Sequence, residues 1–109
     1  MKRGDLVTVA VKGPYTGKPR PALIVQSDRL QNYPSIVVVL LSSAFIQSHY
    51  LVRIQIEPTP ENGLKQTSQI AIDHIVTVPR ESIGKHIGQV SPEIMWTVDR
   101  ALSIFLDLI

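Results

Sequence analysis

Ile36-Val37-Val38-Val39-Leu40-Leu41, closed by Ser42-Ser43, is the stretch that decides the fold. Six apolar residues in a row, four of them β-branched, leave no polar side for water. Such a strand has to be covered on both faces, which places it in the middle of a sheet. Its neighbours on either side are then expected to be strands as well. Upstream, Ser27 to Pro34 reads as a turn or a single helical turn, and Pro21 to Gln26 as a strand whose proline stands at its start or at an edge. Lys12 to Pro19 packs Gly13, Pro14, Gly17 and Pro19 into a loop, and Leu6 to Val11 is a strand by its β-branched alternation.

Downstream, Leu51 to Glu57 alternates, with Val52, Ile54 and Ile56 on one face and Arg53, Gln55 and Glu57 on the other. Pro58-Thr59-Pro60-Glu61-Asn62-Gly63 is a turn signal. Two short strands follow, Thr67 to Ile72 and His74 to Val78, with a further one near His86-Ile87. The period then changes. Ser91-Pro92-Glu93 supplies an N-cap serine, a proline at the first helical position and an acid in the first turn. Ile94, Val98, Ala101, Leu102, Phe105 and Leu106 recur at helical spacing from there, and Met95, Trp96 and Leu108 widen the apolar surface. A helix so apolar needs a second surface, and a copy of the same chain is the natural one. The pattern predicts a mainly β fold: a small, partly open β-barrel of six or seven short strands with a C-terminal α-helix packed on it.

The 109 residues suffice for one core, so residues 1–109 are read as a single domain. Hydrophobic residues make up 44% of the chain, which argues against disorder, and the absence of cysteine excludes disulfides and thiolate metal sites. No signal-peptide core is present and no apolar run reaches the ~18 residues of a membrane helix, so a cytoplasmic location is expected. The net charge is only +2, with a pI near 9.2. Lys2, Arg3, Lys12, Lys18 and Arg20 face Asp5 alone in the first twenty residues, either as an electropositive surface for a polyanion or as a solvated edge.

The order of segments resembles the MazF/PemK (Kid-like) toxin family. Lys2-Arg3-Gly4-Asp5-Leu6-Val7 is similar to the family's opening, and Arg20-Pro21-Ala22-Leu23-Ile24-Val25 to the entry of its second strand. Ser42-Ser43 stands where the family carries a hydroxyl pair, Ile72-Asp73-His74-Ile75-Val76-Thr77-Val78 resembles its aspartate–glutamine segment, and Ile87-Gly88-Gln89-Val90-Ser91-Pro92-Glu93 its hinge into the last helix. The resemblance spans nearly the whole chain. It implies an SH3-like barrel of the CcdB/MazF/PemK type and a homodimer. It also implies endoribonuclease activity on single-stranded RNA without metal or other cofactor, and neutralisation by a cognate antitoxin. The alternatives are a non-catalytic binding module of the same fold, or a protein-poisoning toxin similar to the gyrase-binding CcdB. The CcdB tail ends in tryptophan-glycine-isoleucine, whereas this chain ends Leu106-Asp107-Leu108-Ile109.

Metal-free RNA cleavage uses the 2′-hydroxyl of the RNA as nucleophile, so the protein has to supply a base, an acid and donors to the phosphoryl oxygens. The resemblance makes Arg20 the transition-state stabiliser, since a guanidinium is planar, always charged and grips two oxygens at once. Ser42, in place of the more frequent threonine, can bond a phosphoryl oxygen or orient the 2′-hydroxyl, with Ser43 as an accessory; the same pair can simply cap the strand. Asp73 matches the aspartate assigned as base in the Kid-like branch, but Ala71 stands where that branch has the partner arginine; a hydrogen-bonded turn aspartate is the other reading. Tyr15, Phe45 and Tyr50 are candidates for stacking on bases, Lys18 and Arg53 for following the backbone, and His49 and His74 for polar contacts with RNA. His86 reads as a surface residue, and none of the three histidines has metal-ligand spacing with the others.

Overall fold

A computed structural model describes residues 1–10, 18–45 and 52–109. Among these residues are six strands: β1 (Asp5–Val9), β2 (Arg20–Ile24), β3 (Ser35–Ser42), β4 (Arg53–Ile56), β5 (Ser68–Pro79) and β6 (Ile83–Gln89). They form one antiparallel sheet in the order β4-β5-β3-β2-β1-β6, followed in the chain by the helix α1 (Pro92–Phe105). The sheet is open between β4 and β6, which fits the partly open barrel expected from the pattern.

The apolar strand 36–41 lies between β2 and β5, and its side chains divide between two cores. Val39 and Leu41 join Leu6, Leu23, Ile70 and Ile72 under the helix residues Val98 and Ala101. Ile36 and Val38 join Val7, Val9, Ala22, Ile24 and Val78 in the second cluster. Period-2 alternation delivers both sets from one strand, and each fully buried valine or leucine contributes roughly 1.5–3 kcal/mol of transfer free energy. The helix starts as its sequence requires, with the Ser91 hydroxyl accepting from the Ile94 N–H at 3.2 Å and Pro92 in the first turn.

One feature departs from the pattern reading and two extend it. The segments around 67–72 and 74–78 are one strand, β5, whose pairing with β3 jumps between Leu40 opposite Ala71 and Val39 opposite Ile75. Residues 72–74 are extruded there as a bulge, and this reads in sequence as a break between two strands. Phe105 and Leu106 end the helix exposed, together with Ile104, Leu108 and Ile109. Arg53, expected on the polar face of its strand, has a side chain that is only 6% exposed.

The turn 58–63 positions the site. Buried Asn62 ties it together: its Oδ1 accepts from the N–H groups of Thr59 and Leu64, and its Nδ2 donates to the Glu57 carbonyl. Gly63 has φ +67°, and a Cβ there would meet the Ile87 carbonyl, so only glycine lets this turn lie against β6.

Candidate active site

Arg20 opens β2 and Ser42 closes β3. The two strands pair from Ile24 opposite Val38 to Ala22 opposite Leu40, so Arg20 and Ser42 stand at the same end of the pair, two residues beyond its last paired positions. Both residues line a cleft of about 820 Å³. Its walls come from segments far apart in the chain: Thr8 on β1, residues 18–21, residues 41–44, the loop from Gly63 to Gln66, and Lys85 to Ile87 on β6.

The charge on these walls has one sign. Lys18, Arg20, Lys65 and Lys85 line the cleft, and none of its described lining residues is acidic. The hydroxyls of Thr8, Ser42, Ser43 and Ser68 stand among them. Concave low-dielectric walls of one sign focus the field on the cleft, so a chain of net charge +2 still presents a local anion site. Arg20 is exposed and has no hydrogen bond or ion pair to any described residue, so its donors face the cleft unspent. The Ser42 hydroxyl accepts from the Ala44 N–H at 3.1 Å and donates to the Ala44 carbonyl at 3.3 Å. The donated bond is long enough to yield to a better acceptor.

The N-terminal cations are used otherwise. Arg3 donates through Nη2 to Asp99 of the helix and through Nε to the Val25 carbonyl, so the opening Lys2-Arg3-Gly4-Asp5 fastens the chain end to α1. The positive surface is therefore assembled from Lys18, Arg20, Lys65 and Lys85 and not from the first strand.

Arg53, Asp73 and His74 form a second group, and none of them lines the cleft. The guanidinium of Arg53 donates to both Asp73 carboxylate oxygens at 2.9 and 3.1 Å, and His74 Nε2 lies 3.7 Å from the same carboxylate. These hydrogen bonds hold the Asp73 carboxyl below the usual aspartate range. Phe45 is 52% exposed just beyond the cleft residue Ala44. Tyr15, His49 and Tyr50 lie outside the described residues.

Lys65, Lys85 and His86 are cleft residues that pattern reading left out. Their placement follows from β6 pairing with β1 and from the turn 58–63 folding onto β6, neither of which is a local property. The available signal was that Lys65 follows the turn glycine Gly63 by two residues, and that Lys85 and His86 follow Gly84 in the last strand.

Residues 2–106 match a family profile described as PemK-like, MazF-like toxin of type II toxin–antitoxin system. The chain is 44% identical over 108 residues to the probable endoribonuclease MazF of Mycolicibacterium smegmatis, covering 99% of this chain and 98% of the relative. In structure it is similar to the Mycobacterium tuberculosis toxin MazF-mt6, with a TM-score of 0.79 at 18% identity over 94% of this chain and 96% of the other. It also matches an endoribonuclease solved in complex with its cognate antitoxin from a mycobacterial species, with a TM-score of 0.71 at 21% identity over 98% and 93% of the two chains. At these identities the structural matches speak for the fold alone.

Proposed function

The chain belongs to the PemK-like, MazF-like toxins of type II toxin–antitoxin systems, and from that premise we propose that its cationic cleft cuts single-stranded RNA without a metal. The protein is an endoribonuclease toxin, in keeping with its 44%-identical relative. The observation that supports the cutting site is that Arg20, without a described side-chain partner, and the Ser42 hydroxyl line one cleft walled by four cations.

In this reading the scissile phosphate sits against Arg20. The 2′-hydroxyl attacks phosphorus, the bond to the 5′-oxygen breaks, and negative charge builds on the non-bridging oxygens. Arg20 supplies two parallel donors to that charge, and a preorganised donor of this kind contributes ~10²–10³ in rate. The Ser42 hydroxyl turns from the Ala44 carbonyl to a phosphoryl oxygen. Lys18, Lys65 and Lys85 neutralise the flanking phosphates, while Ser43 and Phe45 border the path of the strand. Asp73, Arg53 and His74 act beside the cleft: the ion pair braces the bulge of β5, and His74, 52% exposed, is left to meet RNA. Tyr15, His49 and Tyr50 complete the proposed RNA contacts.

The protein works as a homodimer in the cytoplasm and is neutralised by a cognate antitoxin. The exposed apolar end of the chain, Ile104, Phe105, Leu106, Leu108 and Ile109, supports a self-association surface. No described helix is long and apolar enough to cross a membrane. The test is incubation of purified protein with single-stranded RNA in excess chelator. Discrete fragments ending in a 2′,3′-cyclic phosphate are expected. Intact RNA that nevertheless stays bound would assign the cleft to a non-catalytic module.

A further inference from the structure

The cutting scheme above needs a base for the 2′-hydroxyl proton, and the group that sequence comparison offers is occupied. Asp73 is held by Arg53 through two hydrogen bonds and lies outside the cleft lining. The lysines and Arg20 are cations, and the serine and threonine hydroxyls do not take up protons near neutrality. Among the described residues of the cleft, one side chain is an imidazole, whose ring nitrogen can accept a proton and release it again: His86.

Its orientation is built into β6. Asp5 pairs with Gln89 and Leu6 with Gly88, but Val7 pairs with His86, so Ile87 is the extra residue of a bulge. Bulges re-aim side chains, and this one brings the His86 ring diagonally across to Asp5. His86 Nε2 stands 3.5 Å from Asp5 Oδ2. The carboxylate is itself fixed, since Oδ2 accepts the Lys2 N–H at 2.8 Å and the Asp5 side chain is 12% exposed against 57% for His86. A carboxylate facing Nε2 keeps the proton on that nitrogen and leaves Nδ1 with a free lone pair.

We infer that His86, oriented by Asp5 and lining the cleft with Arg20 and Ser42, is the general base of the cleavage. The inference rests on the ribonuclease reading. Nδ1 takes the 2′-hydroxyl proton as the bond from O2′ to phosphorus forms. The bond from phosphorus to O5′ breaks, and the departing oxygen takes a proton from water in the open cleft. The imidazolium then returns its proton to solvent. Asp5 from β1 faces the ring, and the other charged groups of the cleft are Lys85 on the same strand, Lys65 from the loop after Gly63, and Lys18 and Arg20.

The experiment is kcat/KM against pH, in chelator, for the wild-type chain, His86→Gln and Asp5→Asn, with His86→Ala assayed in added imidazole. Wild-type activity is expected to rise through the imidazole range and level off. His86→Gln loses ~10²–10⁴-fold and the rising limb with it. Asp5→Asn lowers kcat with KM little changed, since the ring loses the carboxylate that faces it, and free imidazole restores part of the His86→Ala rate. A His86→Gln protein that keeps the limb, or one whose loss is confined to KM, overturns the assignment. So does a His86→Ala variant indifferent to imidazole. Wild-type protein that leaves RNA intact at every pH overturns the ribonuclease reading itself, which separates the two failures.

Discussion

Arg53 grips both carboxylate oxygens of Asp73 from the neighbouring strand, at the point where β5 bulges out of register with β3. The guanidinium is almost wholly buried while its partner is a third exposed. Removing the acid therefore strands a buried cation, whereas removing the pair together does not.

Asp73→Asn is accordingly expected to lower thermal stability at neutral pH. The folded carboxyl titrates below its unfolded value because Arg53 hydrogen-bonds the charged form. Its contribution is present above the ordinary aspartate range and disappears as pH falls through the lowered folded value. The gap in Tm between wild type and variant should close on acidification. A gap that persists at acid pH counts against the ion pair as its source.

At Arg20, Arg20→Ala should reduce cleavage by ~10²–10³-fold or more while the protein melts within about 1 kcal/mol of wild type, because the side chain is exposed and has no described partner to lose. Arg20→Lys should recover little, since an ammonium keeps the charge but not the planar fork. Cleavage rates and melting curves measured on the same preparations check both; wild-type cutting by Arg20→Ala would remove the site.

For the turn that walls the cleft, Asn62→Ala leaves the Thr59 and Leu64 N–H groups and the Glu57 carbonyl without their partner. A loss of roughly 1–3 kcal/mol per stranded group sets the scale. Because Lys65 rides on this turn, RNA affinity should fall together with stability. Denaturant titration and RNA binding measured side by side would show the coupling, and an affinity that holds while stability drops would break it.

Self-association is testable at Phe105, which is 44% exposed at the end of α1. Phe105→Glu should weaken the proposed homodimer at least ~10-fold without unfolding the chain, as truncation of a buried aromatic anchor does at interfaces. Sedimentation across a concentration series reads this directly, and an unchanged dimer would place the interface elsewhere.

Much of the fold was legible because the decisive signals are local. The run 36–41 can only be a central strand, and Ser91-Pro92 can only start a helix at that spacing. The site was legible in part. Arg20 and Ser42 mark a strand start and a strand end, which alternation reveals, and their place at the same end of the strand pair is a matter of register. Lys65, Lys85 and His86 were not legible, since they reach the cleft through the pairing of β6 with β1, some eighty residues apart, and through a bulge that no pattern announces. Arg53 stands on the face that alternation gives it, opposite Val52, Ile54 and Ile56, but its cover was not legible, because the bulge at 72–74 that folds Asp73 over it is not a local signal.

Strand β6 follows β1 by more than seventy residues, yet it supplies Lys85 and His86 to the same hollow that Arg20 enters from β2. A chain that has not reached Ile83 possesses the guanidinium and the wall from Gly63 to Gln66, but neither Lys85 nor His86. The hollow is therefore closed by pairing between distant segments, and a variant that loosens β6 from β1 would open the site without touching Arg20.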